Sequence, residues 1–166
     1  MAIKIGFSTS GSFVSRAIRW FTRSTVSHAW LLVEDGFFGV SVVMEATNGG
    51  FRLVPFEHYV NEHTRLVRLV TPKTSLEEGV KKAALWLGEH YDYGGLFGMA
   101  VVVVGRWLRR RWRNPWESSR AMFCSEAVVY VLQASGYEGA DGLVPSTTSP
   151  EDLLRFLTDG AEEKKE

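Results

Sequence analysis

Two runs of apolar and β-branched residues, Val26-Ser27-His28-Ala29-Trp30-Leu31-Leu32-Val33 and Val40-Ser41-Val42-Val43-Met44-Glu45-Ala46, stand either side of Glu34-Asp35-Gly36-Phe37-Phe38-Gly39. Such a pattern predicts a β-hairpin. With Gly36-Phe37 as the turn, counting outward brings His28 directly opposite Glu45, and opposed side chains share a face of the sheet. A one-residue slip would send Glu45 to the other face.

Shorter apolar stretches at Met1 to Gly6, Phe51 to Val54 and Arg65 to Val70 predict further strands, with Pro55 to Asn61 connecting the last two. Helical periods lie elsewhere. Phe13, Ala17, Trp20 and Phe21 recur at helical spacing after Ser12, while Arg16, Arg19 and Arg23 form a second stripe. This predicts an amphipathic helix whose arginines are a solvated face or the border of an anion-attracting site. Thr74, Ser75, Glu77 and Glu78 offer two overlapping capping boxes ahead of Val80, Ala83, Ala84 and Leu87, predicting a helix to about His90. Ala127, Val128, Val129, Val131 and Leu132 predict a helix that starts at Cys124.

Together these elements predict an α+β fold, an antiparallel sheet packed against helices. The 166 residues suffice for one substantial core, and neither a repeat nor a linker divides them. We expect a single domain over 1–160 and a charged, frayed tail over 161–166. The start of the chain lacks the apolar stretch and small-residue cleavage site of a secretory signal, so cytoplasmic synthesis is expected. Peripheral membrane association or non-classical export is compatible with that.

The formal net charge of +0 hides a polarised distribution. Between Gly94 and Trp116, Arg106, Arg109, Arg110, Arg111 and Arg113 alternate with Trp107, Trp112 and Trp116, and no acidic residue intervenes. The uncharged run before them, Gly94 to Gly105, spans about 18 Å as a helix, too short for a bilayer core of about 30 Å. The general rule for a short apolar run is a core helix, here leading into a charged loop. The alternative is contact with an anionic membrane surface, where indoles and guanidinium groups suit the headgroup level. Nucleic acid ranks last as a partner, because no nucleic-acid-binding motif accompanies the basic residues.

Cys124 is the only cysteine. It has no partner for an intramolecular disulfide, and with four histidines but no second thiol it builds no zinc knuckle. Two roles remain for it, a small buried hydrophobe or a nucleophile. A helix N-terminus favours the second, since backbone N–H groups and the positive end of the dipole stabilise a thiolate there. An imidazole beside a carboxylate is the base such a thiol needs, because the carboxylate fixes the tautomer and stabilises the imidazolium. His28 and Glu45 are therefore the candidates. No cofactor or metal is expected.

Ser27-His28 opening a strand, Met44-Glu45-Ala46 in the next strand, Tyr91-Asp92-Tyr93, and Phe123-Cys124-Ser125-Glu126 opening a helix occur in an order that resembles one family. This is the circularly permuted NlpC-type, papain-like thiol hydrolases of the YiiX/YaeF kind, distantly related to lecithin:retinol acyltransferase-like proteins. In the permuted group the histidine strand precedes the cysteine helix, as here. The family usually has an aromatic residue before its cysteine, often tyrosine, and Phe123 keeps the ring without the hydroxyl. The segment Ser149-Pro150-Glu151-Asp152-Leu153 resembles the family's closing helix.

The resemblance implies a papain-like fold with Cys124 as nucleophile, His28 as general base and acid, and Glu45 orienting it. Tyr91, or else Tyr93, matches the position of an oxyanion donor; the alternative is that both are packing aromatics. The substrate implied is a peptide amide, possibly in cell-wall peptides. The acyltransferase-like branch implies a lipid ester or amide at a membrane surface instead. A binding module that retains the site without turnover is the third alternative. Oligomeric state is left open.

Overall fold

Alternation of side chains along five strands gives this chain a sheet whose central strands are buried on both faces. The computed structural model describes residues 2–11, 13–47, 50–61, 64–87 and 124–162. In chain order the elements are β1 (Ile3–Ser10), α1 (Phe13–Thr22), β2 (His28–Phe37), β3 (Val40–Thr47), β4 (Gly50–Pro55), α2 (Phe56–Asn61), β5 (Thr64–Val70), α3 (Glu77–Ala83), α4 (Cys124–Ala134) and α5 (Pro150–Glu162). The strands lie in the order β4-β3-β2-β1-β5, and each neighbouring pair is antiparallel.

Ile5 and Phe7 of β1, Ala29, Leu31 and Val33 of β2, and Met44 and Ala46 of β3 point to one side. There they pack with Val128, Val131 and Leu132 of α4. The residues between them face the other way, where Trp30, Leu32 and Val43 pack with Tyr59 of α2. Trp30 is fully buried, its ring centroid 4.9 Å from that of Tyr59, and its Nε1 donates to Ser8 Oγ at 3.1 Å. It sits opposite Gly6 in the β1–β2 ladder, and a Cβ on Gly6 would enter the indole ring. Glycine is what lets the largest side chain of that face lie flat against the sheet.

The β2–β3 hairpin differs from the expected register. The turn residues are Phe38 and Gly39, both with positive φ (50° and 78°), not Gly36 and Phe37. Phe37 pairs with Val40, yet Val33 pairs with Val42, so Glu34-Asp35-Gly36 on β2 stand against Ser41 alone. This is a bulge. Asp35 takes φ 51° there, and its N–H donates to Ser41 Oγ at 3.3 Å. Gly36 serves the bulge rather than the turn, because a Cβ on it would collide with the Val33 side chain. Continuing the ladder from Leu31↔Met44 sets Glu45 against Trp30. His28 and Glu45 are therefore diagonal neighbours, two residues out of register and still on one face.

Other elements depart from expectation in smaller ways. β1 runs on to Ser10, and the connection after Pro55 is the helix α2. α3 ends at Ala83 and tightens into a 3₁₀ turn at Ala84–Trp86. The capping box does not form: Leu76 holds the cap position without a side-chain bond, and Ser75 Oγ accepts only from the Glu77 N–H, at 3.4 Å. α5 does have a reciprocal cap, with Asp152 N–H donating to Ser149 Oγ at 3.2 Å and Ser149 N–H to Asp152 Oδ2 at 3.2 Å. It continues to Glu162, so residues 161 and 162, expected in the tail, are helical. In α1 the aromatics Phe13 and Trp20 are 84% and 76% exposed, the reverse of an apolar stripe turned to the core.

α3 meets α4 backbone to backbone. Gly79 N–H donates to Ser135 Oγ at 3.0 Å, and a Cβ at Gly79 would run into the Val131 carbonyl oxygen and Ser135 Oγ. Neither obstacle is the end of a flexible chain, so Gly79→Ala is expected to destabilise the fold by about 1–3 kcal/mol. Urea unfolding checks this through a lower midpoint at unchanged slope.

Candidate active site

The site begins at the point where β2 starts. His28 is the first residue of that strand and stands opposite Ser8 of β1. Across the same face, Glu45 of β3 and Arg52 of β4 are directly paired. Three adjacent strands thus place imidazole, carboxylate and guanidinium in one row. His28 Nε2 lies 2.7 Å from Glu45 Oε2, while Arg52 Nε and Nη2 donate to Glu45 Oε1 at 3.0 and 2.8 Å. The carboxylate is 3% exposed, the imidazole 23% and the guanidinium 55%. Each Glu45 oxygen therefore has a cationic or polarised N–H partner, which is what a buried carboxylate requires.

Cys124 opens α4 and is buried. Its sulfur bonds to His28 and receives the backbone N–H groups of Ala29 and Ser125. Because Nε2 is engaged by Glu45, Nδ1 is the ring nitrogen that faces the sulfur. Ser125 is locked beside it, Oγ donating to the Thr148 carbonyl at 2.6 Å in the turn before α5. The helix start is thereby tied to both the beginning of the central strand and the C-terminal segment.

The charges along this row support one another. Burial opposes ionisation of the Cys124 thiol, but the His28 charge and hydrogen bond, with the two backbone N–H groups, outweigh it and lower the thiol below its ordinary range. Burial likewise disfavours the His28 cation, yet the Cys124 thiolate and then Glu45 raise its pKa to about 10. Glu45 is held below the usual carboxylate range, burial being overcome by His28 and then by Arg52. A thiolate–imidazolium pair is the resting state these shifts describe.

Of the residues expected at the site, Cys124, His28 and Glu45 come together. Tyr91, Tyr93 and the basic segment with Arg106, Trp107, Arg109, Arg110, Arg111, Trp112 and Arg113 lie outside the described residues. Three residues at the site were not anticipated. Arg52 was legible in principle, since Asn48-Gly49 is a strong hairpin signal and counting outward from it sets Arg52 opposite Glu45. Tyr59 and Ser8 carried no such signal. Their hydroxyls lie 2.9 Å apart, with Trp30 donating to Ser8. Burial raises the Tyr59 pKa, and the negative charges of Glu45 and Cys124 add to this. The phenol thus stays protonated close to the ion pair.

No protein-family model matches this chain, and no curated protein does. Among solved structures, the crystal structure of the metalloprotein YiiX from Escherichia coli O157:H7 matches with a TM-score of 0.58 and 24% sequence identity, covering 81% of this chain. In fold, this chain is similar to YiiX. The matched region spans 66% of the YiiX chain, and at this identity the likeness concerns the fold alone. The mixed α+β architecture with its five-stranded antiparallel sheet agrees with that of YiiX. YiiX is described as a metalloprotein. Among the described residues here, no group of three His, Cys, Asp or Glu side chains is disposed to hold a metal ion. Glu45 is also committed to His28 and Arg52, so a cation there would have to displace a guanidinium. These residues do not fit a metal.

Two outcomes test the ion pair. Alkylation of Cys124, followed by intact mass, is expected to become fast already below the ordinary thiol range, because His28 and two backbone N–H groups lower the thiol pKa. In His28→Ala the labelling should instead rise near the ordinary thiol pKa of about 8.5. Glu45→Gln removes the anion that stabilises the imidazolium, so the midpoint should move upward by about one pH unit or more. An unchanged profile in both variants would contradict the pairing.

Proposed function

We propose that this chain is a thiol hydrolase of the circularly permuted NlpC, papain-like type, cleaving an amide bond through an acyl-enzyme on Cys124. The observation that carries the reading is the 2.7 Å contact of His28 Nε2 with the buried Glu45, with the sulfur on the other side of the ring. The order of the elements, histidine strand before cysteine helix, supports the permuted type.

The thiolate attacks the substrate carbonyl carbon, forming a C–S bond and a tetrahedral oxyanion. The N–H of Cys124, in the first turn of α4, is the donor for that oxyanion, a role for which Tyr91 or Tyr93 is the second candidate. His28 gives its Nδ1 proton to the departing amine as the C–N bond breaks, leaving a thioester. Now neutral, His28 takes a proton from water as it attacks the thioester. Breaking of the C–S bond then releases the acid and regenerates the thiolate, and the proton His28 has just taken from water completes the ion pair. Glu45 keeps the ring oriented throughout, and Arg52 holds Glu45.

A lipid ester or amide is the second substrate class, in which case the acyl group comes from a membrane-proximal substrate. An apolar groove beside Cys124 goes with lipid, and a polar cleft with paired backbone donors and acceptors goes with peptide. Turnover should be screened on cell-wall-type peptides and on short-chain acyl lipids. Cys124→Ala is expected to abolish it with the fold intact by circular dichroism, and His28→Ala to reduce it by about 10²–10⁴-fold. Retained activity in Cys124→Ala refutes the mechanism. Inactivity of the wild type on both panels, despite a fast-labelling thiol, favours a binding module instead.

A further inference from the structure

The outward face of α1 is assigned no role by the chemistry above. Phe13, Arg16, Trp20 and Arg23 follow one another at steps of three or four residues, so they form a single stripe along the helix and its C-terminal end. All four are exposed, Phe13 and Trp20 by 84% and 76%. The opposite side of the helix is the one that is held. Ser15 is 6% exposed, with Oγ 2.6 Å from Ser27 Oγ and 3.3 Å from Thr9 Oγ1. The orientation of α1 is therefore fixed by a cluster of hydroxyls, and Phe13 and Trp20 are turned outward by that anchoring.

We propose that this stripe is a docking face for an anionic lipid surface. Charge complementarity argues for that occupant. The sequence has no acidic residue before Glu34, while Arg16, Arg19 and Arg23 all belong to this region. The carboxylate that approaches the helix end, Glu151, accepts from Ser24 Oγ at 2.7 Å and from Arg155 Nε at 3.3 Å. It is thus already matched by a cation of its own helix. Exposed Trp and Phe alternating with Arg is the composition of a helix lying in the headgroup plane, indoles at the interface and guanidinium groups on phosphate. No described helix is long and apolar enough to cross a bilayer, so the contact is peripheral.

The same anchoring gives the face a relation to the site. Ser27, which receives Ser15, immediately precedes His28. The helix that carries the face is thereby tied to the start of β2, where His28 stands, and the docking itself does not depend on turnover.

The test is co-sedimentation of the full chain with vesicles of phosphatidylcholine alone or mixed with phosphatidylglycerol. Wild type is expected to pellet with the anionic vesicles. Phe13→Ser/Trp20→Ser and Arg16→Glu/Arg23→Glu are each expected to reduce pelleting by about tenfold or more. Cys124 alkylation at pH 6 should be unchanged in both, which shows that the fold and the ion pair persist. Equal pelleting of wild type and variants overturns the proposal and moves the contact to another surface, residues 94–116 included. Absence of pelleting also overturns it, whether or not the protein binds a single-stranded oligonucleotide. Because the labelling readout needs no substrate, failure of the docking and failure of the hydrolase reading remain distinguishable.

Discussion

A single buried carboxylate sets the terms for this fold. Glu45 is 3% exposed in the middle of a sheet, a place where an unmatched charge is not tolerated. The fold answers by arranging two cations on adjacent strands, so that each oxygen is bonded. Removing one partner of such a group typically costs about 3–5 kcal/mol, because the remaining charge stays buried. The strand pairing and the chemistry are consequently one constraint: shift β2 or β4 against β3, and both the electrostatics and the register fail together.

That constraint explains how the two sides of the sheet divide their work. One side is lined by apolar residues of β1, β2 and β3 and receives α4, whose valines and Leu132 fix the helix against β2. The other side carries Trp30, Val43 and Tyr59 together with the charged row. Cys124 reaches His28 at the end of the central strand, because His28 is the first residue of its strand and Cys124 the first of its helix. Two element termini thus converge, and termini are where backbone N–H groups remain unused by regular hydrogen bonding. The sulfur collects two of them, from Ala29 and Ser125.

Much of this was legible from residue patterns, for reasons that can be named. The period of two in β2 and β3 fixed the face shared by His28 and Glu45. The apolar run after Cys124 marked α4, whereas α5 was expected only from the resemblance of Ser149 to Leu153 to a family's closing helix. The turn was misplaced because Gly36 is a strong local signal whose actual duty is steric relief beside Val33. The true turn residue, Phe38, takes a positive φ that its side chain gives no reason to expect. The misplacement made His28 and Glu45 diagonal rather than directly opposed, but it moved the ladder by two residues, an even number that leaves faces unchanged. α1 forms where its periodicity predicts, with Arg16 and Arg23 exposed; periodicity identifies two stripes but not which side is anchored, and here the hydroxyls of Ser15, Ser27 and Thr9 decide it.

The bulge at Glu34-Asp35-Gly36 has a consequence for how this hairpin can vary. It separates the inner ladder, from Leu31 to Val33, from the outer pair of Phe37 with Val40. Register information from the tip has to pass through three residues that face only Ser41, so the inner ladder is set by its own packing and not by the turn. The hairpin tip is therefore mechanically uncoupled from the site. Lineages can lengthen, shorten or recompose the loop around Phe38 while the distance between imidazole and carboxylate stays where the core has put it.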